Sequence, residues 1–251
     1  MLLVDIDEAR TSEVADAVNA AGGSARGLVV DVSRPADVEM LAKEVAAGGG
    51  LRYLIHTAGV SPTMADAPRV LDVDLVGTAR LTEALLPLAV PGSVVVCVAS
   101  IGGQMGAMSA EVEEVLNDPL APDFLERMAA VSTPDPGGAY SIAKRGVIKL
   151  CEREAPAWGA RGGRIVSISP GIMDTPMGRL EAEENDAMAF MLGLTPVSRP
   201  DDGGFPTLPG RVDDIANAAV FLCSPGASFI SGTDLRIDGG LVAALFNPAA
   251  A

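Results

Sequence analysis

The chain has 251 residues, 49% of them apolar and 20% charged, which is enough to bury a sizeable core and unlike a disordered segment. Thirty-three acidic against 18 basic residues give a net charge of −15, which argues against the basic patches that a sequence-independent grip on nucleic acid needs. A lone histidine, His56, excludes a multi-histidine metal centre, and Cys97, Cys151 and Cys223 lack metal or disulfide spacing, so no metal site and a reducing cytoplasm are expected. No apolar run reaches the length of a bilayer span, and acidic residues occupy the N-terminus where a secretion signal carries basic ones, so no membrane is expected.

In chain order, strands are predicted at residues 2–5, 27–31, 53–56, 93–99, 164–169 and 233–237. Most are continuous apolar runs, the pattern of strands covered on both faces of a parallel sheet. Amphipathic helices are predicted between them at 8–21, 35–46, 70–86, 138–154 and 212–222. Strand then helix, repeated, means right-handed crossovers and a doubly wound, three-layer α/β fold. No repeat or linker divides residues 1–251, so one domain is expected. Residues 102–136 are an insertion with short helices near 110–117 and 123–130; residues 178–210, rich in Met, Pro and Gly, are read as a mobile lid over a substrate.

Tyr140 and Lys144 stand at i and i+4 on a predicted helix, in a chain with two tyrosines and three lysines. An ammonium beside a phenol favours the phenolate, so the Tyr140 pKa is expected to fall below its ordinary value of about 10. That would make Tyr140 a proton donor and acceptor near neutral pH. Ser100 follows the strand at 93–99, at the sheet edge where open α/β folds bind ligands. The Pro170-Gly171 turn and Thr175 follow the next strand, and His56-Thr57-Ala58-Gly59 closes the strand at 53–56. Each piece alone suits an ordinary cap or turn.

Together, in this order and each at a strand end, the pieces resemble the short-chain dehydrogenase/reductase family, over nearly the whole chain to about Leu241. The resemblance implies a Rossmann-like sheet and hydride exchange between a nicotinamide cofactor and a secondary alcohol or ketone. It assigns Ser100, Tyr140 and Lys144 as catalytic residues, with Asp74 where the family usually has asparagine. It implies cofactor contacts from Asp31, Val32, Ala58, Gly59, Tyr140, Lys144, Pro170, Gly171, Ile172 and Thr175. Asp5, ending the first strand, matches the acid that accepts a ribose hydroxyl, which favours NAD over NADP; no arginine precedes Arg10. A homodimer or tetramer is implied. A small apolar substrate is suggested by Met105, Met108, Met173, Met177, Met188 and Met191 in the two irregular regions. His56 is read as a residue beneath the cofactor rather than a catalytic base.

The family's opening strand, Thr-Gly-x-x-x-Gly-x-Gly loop and helix have no counterpart in this sequence, so an N-terminal unit is expected to be missing. Two further readings follow: a non-catalytic remnant that binds or assembles, and another reaction on the same scaffold, such as epimerisation or dehydration.

Overall fold

A computed structural model of the chain describes residues 1–105, 107–132, 135–184, 186–197 and 210–247. Its strands are β1 Leu2–Asp5, β2 Arg26–Val29, β3 Leu51–His56, β4 Ala89–Val98, β5 Arg164–Pro170 and β6 Asp234–Ile237. All pair in parallel. β3-β4-β5-β6 form one ladder, with Ile55 opposite Val96, Val96 opposite Val166 and Ile168 opposite Leu235. β1 and β2 form a separate two-stranded ladder. Among the described residues no backbone ladder joins the two, so β1 and β3 are both edges, and Val4, Tyr53 and Ile55 are exposed along them.

The alternation of a strand explains the layers. Val95 and Cys97 of β4 pack, with Ile165, against Val147, Cys151 and Trp158 of α7 (Pro136–Ala160). Val94 and Val96 point the other way and meet Ala219 and Leu222 of α10 (Val212–Cys223). Both faces of the sheet are therefore covered, as the unbroken apolar runs predicted. Helix starts are set by local chemistry. Asp7 caps α1 (Glu8–Ala20) by accepting the N–H groups of Ala9 and Arg10. Pro35 opens α2 (Pro35–Ala47). Asp135 caps α7 by accepting the Gly138 N–H, with Pro136 opening the first turn.

The helix expected at 70–86 is interrupted. It runs as α3 (Ala67–Leu71), a π-helical stretch at Asp72–Gly77 and α4 (Thr78–Leu85). Such stretches widen a helix by one residue per turn and recur at functional sites; Asp74 lies in this one. The insertion supplies α5 (Ala110–Val115) and α6 (Phe124–Val131), and it lies along α7. Glu113 of α5 receives Arg145 Nε at 3.0 Å and Lys149 Nζ at 2.6 Å, and Arg153 donates to the Asn117 carbonyl at 2.6 Å. The stretch read as a lid begins with two helices, α8 (Pro176–Glu184) and α9 (Asp186–Leu194). Residues 198–209 of that stretch lie outside the described residues. The C-terminal helix is α11 (Leu241–Phe246).

Candidate active site

Lys144 is the centre of the arrangement, although it is 5% exposed. Its Nζ donates to the Val98 carbonyl at the end of β4, at 3.2 Å. It also stands 3.2 Å from Asp74 Oδ2. That contact is an ion pair without hydrogen-bond alignment, for Oδ2 has no hydrogen-bond donor. Asp74 Oδ1 accepts the Val60 N–H at 2.8 Å, which ties the loop after β3 to the π-helical stretch. Gly59 closes over the pair: a Cβ there would lie 3.3 Å from both Asp74 oxygens and 3.4 Å from Lys144 Nζ. Its small size is thus already explained by this close approach, while Ala58 beside it is open to solvent.

Tyr140 is one helical turn from Lys144, whose Nζ is 5.3 Å from the ring centroid. Ser100 follows β4 in an extended conformation; its Oγ accepts the Gly102 N–H at 3.1 Å, and it faces Tyr140. The expected lowering of the Tyr140 pKa is not found; the direction is upward. Burial pushes it up, Lys144 and the Ser100 hydrogen bond pull it down, and the negative charges of Asp74 and Glu181 push it up again. Sequence spacing revealed the lysine, and the family resemblance Asp74, but neither the burial nor Glu181. Burial also presses the Lys144 pKa down, but Asp74, followed by Tyr140, more than offsets this, and the net direction is upward.

His56 is buried beneath this group. Its Nε2 is 2.9 Å from Thr78 Oγ1, and Thr78 donates its own hydroxyl proton to the Asp74 carbonyl at 2.7 Å. Thr78 must therefore accept at His56, which places the imidazole proton on Nε2. Burial first, and the Lys144 charge second, lower its pKa to about 4. The ring is neutral and braces α4 against β3. Thr78 was missed from the sequence, yet a threonine four residues after Asp74 on a buried helix face was the available signal. Glu181 was missed too; it lies on α8, where burial raises its pKa.

The remaining candidates separate into open and occupied groups. Asp5 Oδ1 accepts the Asp7 N–H at 3.0 Å, and Oδ2 is 3.5 Å from Nη1 of Arg10, the first arginine of the chain. Asp31 is held by Ser33 Oγ at 2.6 Å and by Arg69 Nη2 at 3.2 Å. Val32 is part of the core, and its carbonyl accepts from Arg80. Pro170 ends β5. Gly171 packs on β6, where a Cβ would meet the Asp238 backbone at 2.7 Å. Ile172 joins Ile101, Met105, Met191, Leu241 and Val242 in an apolar cluster beside Ser100. Thr175 Oγ1 accepts the Gly178 N–H at 3.0 Å and so caps α8. Cavities of about 400 and 520 Å³ lie elsewhere, against β6 and α10 and between α2 and the insertion; neither includes Ser100, Tyr140 or Lys144.

The family described as Enoyl-(Acyl carrier protein) reductase matches residues 1–115 and 125–242. The chain belongs to the short-chain dehydrogenase/reductase family. Within that family it is 30% identical, over 94% of its length and 81% of the relative's, to D-threitol dehydrogenase of Mycolicibacterium smegmatis. It is also 30% identical to an uncharacterized short-chain type dehydrogenase/reductase of Sinorhizobium fredii, covering 85% of this chain but only 34% of that longer protein. Its fold resembles the 3-alpha-hydroxysteroid dehydrogenase from Pseudomonas sp. B-0831 complexed with NADH, with a TM-score of 0.72, 24% identity and 100% of both chains covered. The expectation of a missing N-terminal unit is not supported by these matches: the family match starts at residue 1, and β1 opens the chain.

The residues present suit a nicotinamide cofactor at the carboxyl edge of the sheet. An ammonium carries three donors, of which the Val98 carbonyl takes one while Asp74 pairs with the charge, so a ribose hydroxyl would find a free donor on Lys144. The loop at Ala58 and Gly59 brings backbone rather than side chain to the same edge.

Proposed function

We propose that the chain is a nicotinamide-dependent oxidoreductase that interconverts a small apolar ketone and its secondary alcohol. The observation that carries this reading is the convergence of Ser100, Tyr140 and Lys144 at the end of β4. Bound nicotinamide would supply or accept the hydride. Lys144, Gly59, Pro170, Gly171, Ile172 and Thr175 would border it, and Asp5 would accept from its ribose. Asp5 favours NAD, since a carboxylate repels the extra phosphate of NADP; exposed Arg10 is the opposing influence.

Ser100 Oγ accepts from the Gly102 N–H, and its hydroxyl proton, which faces the Tyr140 phenol, would turn to hold the substrate oxygen. In reduction, Tyr140 Oη gives its proton to that oxygen as the carbon–oxygen π pair moves onto it, and the phenolate left behind faces Lys144. In oxidation the proton returns along the same path. The apolar cluster of Ile101, Met105, Ile172 and Met191 beside Ser100 suits an alicyclic substrate. We read residues 1–251 as one cytoplasmic domain that forms a homo-oligomer, with exposed Val220 and Phe229 as an apolar surface for self-association.

The test is an absorbance assay with NADH and NADPH against cyclic ketones and secondary alcohols. Wild type should turn over, and Tyr140→Phe should lose roughly 10²- to 10⁴-fold, the usual worth of a general acid. Cofactor binding without any absorbance change would leave the non-catalytic binding reading in its place.

A further inference from the structure

The ion pair between Asp74 and Lys144 has a consequence for the protonation of Tyr140. Both groups are buried, with Asp74 1% and Lys144 5% exposed, so their interaction is weakly screened. An ammonium that faces a carboxylate at 3.2 Å is no longer an uncompensated positive charge for the phenol beside it. With an asparagine at position 74, ionising Tyr140 would take the local cluster from +1 to 0. With Asp74 the same step takes it from 0 to −1, in a site of low dielectric. The other groups that face the cluster do not reverse this. Ser100, just after β4, faces the phenol, Glu181 from α8 adds negative charge, and His56 from β3 is neutral. Cys97 from β4 faces Lys144 as a buried thiol. The loop at Gly59 and Val60 locks Asp74 in place through the Val60 N–H.

Building on the oxidoreductase reading, we infer that Asp74 is a positioning residue that acts as the counter-charge of Lys144 and thereby holds Tyr140 in its protonated, proton-donating form near neutral pH. Alcohol oxidation, which needs the phenolate, is then confined to alkaline solution. Asp74 reaches Nζ from the π-helical stretch at Asp72–Gly77, across from the helix that carries Lys144.

The experiment reads Tyr140 directly in the full chain without cofactor. Phenolate absorbance is titrated in wild type and in Tyr140→Phe, whose difference isolates Tyr140 from the one other tyrosine, exposed Tyr53. Tyr140 is expected to ionise above the ordinary tyrosine value of about 10. Asp74→Asn, which keeps the shape and the Val60 bond, should lower the Tyr140 midpoint by about one pH unit or more. It should also move the alkaline rise of the oxidation rate down by the same amount. A Tyr140 midpoint below about 10, or an Asp74→Asn midpoint that stays put or rises, overturns the inference. Should Asp74→Asn fail to fold, the wild-type midpoint decides alone. Should the absorbance shifts appear in a chain that turns over no alcohol or ketone, the charge pairing stands and the oxidoreductase reading falls.

Discussion

His56 shows how one residue can carry a pH dependence without taking part in chemistry. Folding lowers its pKa from the ordinary 6.5 to about 4. The unfolded chain therefore takes up a proton at a pH where the folded chain does not. Stability is full above pH 6.5, falls as pH drops through the window from 6.5 to 4, and is level below it. Between pH 7 and pH 5 the loss from this residue is about 2 kcal/mol. Glu154 and Glu181, whose pKa values burial raises, act in the opposite sense, so the histidine must be isolated by difference. Urea unfolding of wild type and His56→Gln at the two pH values should show that loss only in wild type; equal slopes would mean that the ring is not held neutral. At this scale the sequence was informative about residue types and blind to environment. Ser100, Tyr140 and Lys144 were legible because a strand end and an i, i+4 spacing leave marks in one dimension, and Asp74 because it stands where the family resemblance expects asparagine. The burial that turns the Tyr140 shift upward and the Arg69 that occupies Asp31 are set by chain segments that meet only in three dimensions.

Among the elements, β4 and β1 are the extremes. β4 is hydrogen-bonded on both sides, and its Val94, Val95, Val96 and Cys97 are at most 2% exposed. β1 is paired only with β2, and its Val4 is 38% exposed. Edge strands open locally at lower cost than central ones. Hydrogen–deuterium exchange should therefore be at least about tenfold faster across β1 than across β4. Equal protection would mean that the two ladders open as one cooperative unit. The strands were readable from the sequence because continuous Val/Ile runs have no other home in a soluble α/β chain. Which strands would ladder together was not, since pairing partners lie far apart in sequence. The π-helical stretch was equally hidden: Val70–Leu86 reads as one amphipathic helix, and the extra residue per turn is a response to packing around Asp74 and Thr78.

At the scale of the whole molecule the dominant feature is charge. A net −15 means that the folded state brings like charges together, and this self-repulsion opposes compaction. Specific ion pairs act the other way: Arg26–Glu44, Arg145–Glu113 and Lys149–Glu113 link separate segments across the surface. Pairs this exposed are worth about 0.2–1 kcal/mol each. Salt weakens both effects, so its net sign shows which is larger. The acidic excess of 15 acts over distances comparable with the molecule at low salt, where the screening length is about 30 Å, and is cut off near physiological salt, where it is about 8 Å. The pairs act at contact distance and are screened less. Raising salt from about 0.01 to 0.15 M should therefore raise the Tm by a few degrees, the response of about 1 kcal/mol in a chain of this size. A Tm that falls would mean that the bridges from the insertion to α7, rather than the net repulsion, govern the electrostatics of this fold. Because Glu113 anchors those bridges, Glu113→Gln would then remove most of the fall.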